Sequence, residues 1–275
     1  MKVVNQNAEI WYQEPGKQGM YKQIERAARV CYQSQNLIKD GSAEKIVKRL
    51  IDAGHTAMLE HGTVYLKYDF NIPDDIIVRA YSNDPYSFVR ISEDNKTAYI
   101  TTNWRVIVEN VFLKKNWSAD HLKCICEPTE FHEKRHTICL TTNLQVATEF
   151  IRHRHMSFAM ESTRYCAYDK DRFGNDITFI MPCWFNEKTD RNEVIEWSNT
   201  MQDCENHYMR LRDKGWAAEQ CAQFLPKATK TTLIITAYDD DWQKFFDLRY
   251  FEKTGKVHPQ AKEAAAMIYE LMYNE

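Results

Sequence analysis

Apolar positions recur at helical spacing early in the chain, through Ile24, Ala27, Ala28 and Cys31 in residues 21–32 and through Ile46, Leu50 and Ile51 in residues 43–53, until Gly54. Residues 63–70 then alternate Val64, Leu66, Tyr68 and Phe70 with more polar neighbours, which predicts a half-buried strand. Residues 137–142 predict a buried strand, Asn143 an N-cap, and residues 144–154 a helix buried through Val146, Ala147, Phe150 and Ile151. The pattern next predicts a strand at 177–181, a long polar helix at 193–214, and a short helix at 217–224 that stops at Leu225-Pro226. A β-branched strand at 229–236 follows, then a helix at 239–249 whose three leading acids and final Arg249 suit the helix dipole, then a last helix from Pro259 to about Met272. Residues 71–134 are mixed, with turns expected at 72–75 and 82–85 and a strand at 98–102. Strands and helices alternate without a strict βαβ rhythm, so the expected class is α+β or mixed α/β.

Composition narrows the function. The 275 residues are 44% apolar and hold only eight Gly and seven Pro, without a linker-like tract, which predicts a single domain over 1–275. A net charge of -3 gives no global pull toward nucleic acid or anionic lipid. No run of roughly 20 apolar residues is present for a membrane span, and residues 1–6 lack a signal-peptide core, so a cytoplasmic protein is expected. The eight cysteines lack zinc-type spacing and read as reduced, small hydrophobes, and no metal is expected.

The densest chemistry lies in Arg152-His153-Arg154-His155-Met156-Ser157-Phe158-Ala159-Met160-Glu161-Ser162-Thr163-Arg164-Tyr165. If the helix runs to 154, then Glu149, Arg152 and His153 share one face and point into a common site. Guanidinium groups grip phosphates bidentately, and hydroxyls with backbone amides complete an anion nest, so the ligand expected is phosphorylated. The plainer alternative is a solvated basic helix end paired with Glu149 and Glu161.

Arg152-His153-Arg154, seven residues, then Ser162 resembles the signature of the flavin-dependent thymidylate synthases. Segments 27–32, 54–63, 225–236, 245–249 and 258–260 resemble other parts of that family, and residues 69–134 read as an insertion typical of one of its branches. The resemblance implies a mostly antiparallel central sheet flanked by helices, and a homotetramer with FAD at subunit junctions. It implies methylation of dUMP to dTMP, with 5,10-methylenetetrahydrofolate as carbon donor and NADPH or NADH as reductant. Arg152, His153, Arg154, His61, Thr63 and Glu161 would meet the cofactor, with Tyr238 and Lys244 where the family often has asparagines. Glu149, Arg152, Glu161, Ser162, Thr163, Arg164 and Arg249 would meet dUMP. Arg249 would polarise the uracil and stabilise charge at its N3, and Ser162 would bind and orient the nucleotide.

Several residues depart from the family pattern: Glu149 stands for a glutamine, Ala159 for an asparagine, Met160 for an acid and Ala222 for a phosphate-holding arginine. Lys227 or Lys230 is the nearby cation that could replace that arginine. These departures leave open hydroxymethylation of dUMP, or action on another pyrimidine nucleotide. A cysteine-dependent thymidylate synthase built on Pro182-Cys183 is disfavoured by Trp184, which follows where a histidine would be expected. A nucleic-acid-binding protein built around Arg152 to His155 is disfavoured by the overall acidity of the chain and by the confinement of that basic cluster to one helix end.

Overall fold

The computed structural model describes residues 1–71, 75–109, 123–169 and 174–273; the expected turn at 72–75 therefore lies mostly outside the described residues. Two strands, β6 (Arg135–Asn143) and β9 (Lys230–Tyr238), pair antiparallel from Arg135↔Tyr238 to Asn143↔Lys230. The short strands β2 (Asn7–Ile10) and β7 (Ser157–Met160) flank them, completing an antiparallel sheet in the order β2-β6-β9-β7.

Alternation along β9 gives this sheet two unlike faces. Leu233, Ile235 and Ala237, with Ile138 and Leu140 of β6, bury against α5 (Leu144–Phe150), α8 (Asp239–Arg249) and α9 (Pro259–Tyr273). Trp242, Phe245 and Phe246 are fully buried there, each contributing about 2–3 kcal/mol by leaving water. The opposite face carries Thr232, Ile234 and Thr236, and α1 (Gly16–Cys31) covers it through Ala27 and Val30. Polar side chains buried on that face are therefore held by hydrogen bonds, Thr137 Oγ1 to Thr236 Oγ1 at 2.9 Å among them.

A second sheet, in the order β3-β5-β4, is built from β3 (Thr63–Asp69), β5 (Thr97–Asn103) and β4 (Phe88–Ile91). It packs with α1, α2 (Ser42–Asp52), α3 (Ile76–Ser82) and α4 (Trp104–Glu109) around Ile24, Leu59, Leu66, Tyr81 and Ile100. The hydroxyl of Tyr238 joins the two sheets, lying 2.8 Å from the carbonyl of Thr101 and 3.0 Å from that of Tyr86. Further along, β1 (Lys2–Val4) pairs in parallel with β8 (Thr178–Ile180), beside α6 (Arg191–Asp213) and α7 (Ala218–Cys221).

The class is mixed helix and sheet, as the sequence predicts, and the long periodic elements fall where expected. Elements the pattern does not predict are β1, β2, β4, β7, α3 and α4. All are three to seven residues long, too few for a periodicity to register. One helix is shorter than expected: α5 stops at Phe150, not at 154. One more turn would send the His153 N–H to the Glu149 carbonyl. That carbonyl instead accepts from Arg249 Nη2 at 2.9 Å, and the His153 N–H turns to the Phe150 carbonyl at 3.1 Å.

Gly19 lets α1 lie against the segment before it, because a Cβ there would sit 1.8 Å from the Glu14 carbonyl oxygen. Helix propensity alone would make Gly19→Ala stabilising by about 1 kcal/mol. The clash with backbone reverses the sign, and a loss of about 3 kcal/mol is expected, seen as a fall of roughly 6 °C in Tm. An unchanged or higher Tm would show that the 11–15 segment yields freely.

Candidate functional site

Arg249, the last residue of α8, reaches across to the end of α5. Its Nη1 donates to Glu149 Oε2 at 3.1 Å, its Nη2 to the Glu149 carbonyl at 2.9 Å, and its Nε to His153 Nε2 at 3.1 Å. A guanidinium has five N–H groups, so three are fixed by the protein and two remain for a ligand. Because His153 Nε2 accepts, its proton sits on Nδ1. Burial, and then the Arg249 charge, push the imidazole down to about 4, so His153 is a neutral acceptor at pH 7. Burial pulls Arg249 down as well, against the opposing pull of Glu149.

Arg152 and Arg154 occupy the turn after α5, not a helix face, and both are exposed. Neither has a hydrogen bond or ion pair from its side chain among the described residues. The expected shared face of Glu149, Arg152 and His153 is thus replaced by a turn, yet Glu149 and His153 still meet, through Arg249.

The other half of the motif sits beyond β7. At about 3.3 Å per residue, the four steps from Ser157 to Glu161 place the Ser162 loop about 13 Å from the start of that strand. Glu161, only 3% exposed, takes Lys230 Nζ at 2.9 Å. Lys230 is thereby committed to a carboxylate, while Lys227 is exposed with no ion pair among the described residues. Ser162 donates its N–H to the Cys31 carbonyl at 3.0 Å, and its Oγ accepts from the Arg164 N–H at 3.3 Å. Thr163 shares this turn, half-buried. Arg164 Nε donates to Glu219 Oε2 at 2.6 Å, an exposed pair worth little in water.

The remaining predicted residues lie toward the Arg135 end of β6. His61 is fully buried, with Nδ1 2.8 Å from Thr236 Oγ1. Its Nε2 has no hydrogen-bond partner among the described residues. Burial, then Arg135, push it down to about 3. Thr63 Oγ1 accepts from Arg135 Nη1 at 3.2 Å, and the Arg135 guanidinium lies 5.2 Å from the Tyr238 ring centre. Lys244 stands apart, exposed and, among the described residues, paired only with Asp241 at 3.1 Å. Thr63 and Arg135 line a cavity of about 380 Å³ with Trp11, Tyr12, Tyr65 and His136. The Nε of Arg135 is buried there without a partner. Sequence reasoning missed this cavity, because its wall joins three segments distant along the chain, and Arg135 stands outside every motif.

His61 and His153 have folded pKa values below the unfolded value near 6.5, so the unfolded chain binds more protons as pH falls. Their stabilisation is complete above about 6.5 and is lost as pH falls toward about 4 for His153 and about 3 for His61. Each adds at most about 1.4 kcal/mol per pH unit, less for the partly solvated His153. In urea unfolding between pH 6.5 and 4, His153→Asn should lose stability less steeply than the parent; parallel curves would contradict the assignment.

The family described as thymidylate synthase complementing protein matches residues 92–275, two thirds of the chain. The match takes in the 152–164 segment and Arg249, but not His61 or Thr63. A flavin-dependent thymidylate synthase of Pyrococcus furiosus is 30% identical over 105 residues, 38% of this chain and 41% of that protein. One of Geobacter sulfurreducens is 31% identical over 105 residues, 38% of this chain and 43% of that protein. The aligned stretch thus spans about two fifths of either relative. A solved UMP/dUMP methylase, PolB of Streptomyces cacaoi, bound with 5-Br dUMP, superposes over 99% of this chain and 90% of its own, at 16% identity and a TM-score of 0.44, too slight a likeness to carry an argument. On the match over residues 92–275, the chain belongs to the family of thymidylate synthase complementing proteins.

Proposed function

We propose that this chain methylates dUMP to dTMP, with FAD as its flavin, 5,10-methylenetetrahydrofolate as carbon donor and NADPH as reductant. The observation that carries this reading is the Arg249 cluster, set beside two unpaired arginines within a segment that belongs to the family. The relatives named flavin-dependent thymidylate synthase support it.

The donor set suits FAD: among the described residues Arg152 and Arg154 lack acid partners, which leaves their charge for phosphates, and Arg135 keeps a buried N–H unused beside an aromatic-lined cavity. When bound, the flavin supplies hydride chemistry and the relay of the one-carbon unit. Arg152 and Arg154 hold phosphate groups. Arg249 offers its two free N–H groups to the pyrimidine ring and stabilises charge growing there, an electrostatic role that strengthens in the transition state. Ser162, Thr163 and Arg164 orient the nucleotide, with Glu161 fixing the start of their loop through Lys230. Ser162 is no nucleophile, since among the described residues no base is bonded to its hydroxyl. Thr63 reaches the cavity directly, and His61 connects to its wall only through Thr236 and then Thr137. We assign Lys244 no role.

The strand β7 keeps the 152–154 turn and the Ser162 loop apart within one copy. A site using both would be completed across a junction between copies, in the homotetramer with FAD at those junctions that the family resemblance implies. Among the described residues no helix is long and apolar enough to cross a membrane, and an enzyme drawing on folate and nicotinamide pools belongs in the cytoplasm.

Flavin-loaded protein supplied with dUMP, methylenetetrahydrofolate and NADPH should yield a nucleotide heavier by one methyl replacement, identified by mass spectrometry as dTMP. A hydroxymethyl product, or none, would overturn the reading. Arg249→Lys cannot bridge Glu149 and His153 together and should lower kcat about 100-fold or more. Ser162→Ala should weaken dUMP binding about tenfold in a titration while leaving flavin content unchanged.

A further inference from the structure

Glu149 gives both of its acceptor groups to one arginine. Its Oε2 takes Arg249 Nη1 at 3.1 Å and its carbonyl takes Nη2 at 2.9 Å. The second carboxylate oxygen is held from the opposite side, accepting from Gln145 Nε2 at 3.0 Å one helical turn earlier. The side chains of Glu149 and Arg249 are 18% and 20% exposed, shielded enough to hold their geometry yet still reached by solvent. Both carboxylate oxygens are engaged before any substrate arrives. We propose that Glu149 is a positioning residue, which aims Arg249 and offsets its charge and does not itself bind substrate. The proposal rests on the reading of this site as one that methylates dUMP.

The pairing sorts the arginines around one turn into two tasks. Among the described residues Arg152 and Arg154 have no acid partner, which leaves their charge for a phosphate. Arg249, held between a carboxylate and a carbonyl, attracts a ground-state anion less strongly. It is better matched to a neutral ring carbonyl that becomes negative only as the reaction proceeds, so its hydrogen bonds strengthen in the transition state. The same offset disfavours a nucleotide that enters with its phosphate toward Arg249.

The test compares wild-type holoenzyme with Glu149→Gln, which keeps the size and an acceptor, and Glu149→Ala, which keeps neither. The expected result is a split: kcat at least tenfold lower in Glu149→Gln and lower again in Glu149→Ala, with the Kd for dUMP within threefold and flavin content retained. A tenfold weaker Kd with kcat preserved would make Glu149 a direct substrate ligand and overturn the proposal, as would unchanged kcat in both variants. The Arg249 Nε–H resonance in the 15N spectrum gives a readout independent of turnover: it should shift or broaden in Glu149→Ala, and an unmoved signal would also overturn the proposal. If wild-type holoenzyme makes no dTMP, the functional reading fails, while that resonance still decides whether Glu149 positions Arg249.

Discussion

The bond from Arg249 to the Glu149 carbonyl closes the C-terminal end of α5 and decides where the chain turns. A helix end leaves carbonyls without partners, and a cation there satisfies both the hydrogen bond and the dipole. Here the cation comes from a residue 100 positions away, so the end of α5 forms only when α8 is docked. The docking rests in turn on aromatic packing, with Phe245 of α8 against Phe150 of α5 at 4.7 Å between ring centres and against His153 at 5.0 Å. Chemistry and core are therefore not separable in this region. The residues that aim the guanidinium sit directly on the residues that bury the helix.

The two faces of the central sheet divide the remaining work. One face is aliphatic and aromatic and fixes three helices, among them the two that carry the Arg249 cluster. The other buries threonines and His61 in a hydrogen-bonded row, a costly arrangement unless each group finds a partner. Two atoms on that side do not: His61 Nε2 and Arg135 Nε are buried and unpaired. Of the two, Arg135 lines the cavity, and an unpaired donor there is where a bound ligand gains most, since the ligand supplies the hydrogen bond the fold withholds.

Much of this was legible in the sequence, and the exceptions share a cause. The 3.6-residue pattern located α1 although its apolar side serves two cores, Ile24 packing with the second sheet and Ala27 against the first, and the acids that open α8 with the Arg249 that ends it located that helix. The 152–162 motif marked the region of the site. The end of α5 was not legible, because nothing local stops a helix at Phe150; a distant arginine does so by taking a carbonyl. Likewise β7 carries the motif residue Ser157 at its first position, so its strand character was hidden under an interpretation in terms of chemistry. The meeting of Glu149 with Arg249 and of Arg135 with Tyr238 depends on tertiary packing, which local periodicity does not encode.

That the turn at 152–154 holds a flavin is tested most directly by the absorbance spectrum of the purified protein after FAD addition and removal of unbound cofactor, followed by anaerobic NADPH. The account predicts a retained flavin spectrum that bleaches faster when dUMP is present, and loss of the retained flavin when Arg152 and Arg154 are both replaced by alanine. A protein that stays colourless after FAD is added, or a double variant that holds flavin as tightly as the parent, would contradict it.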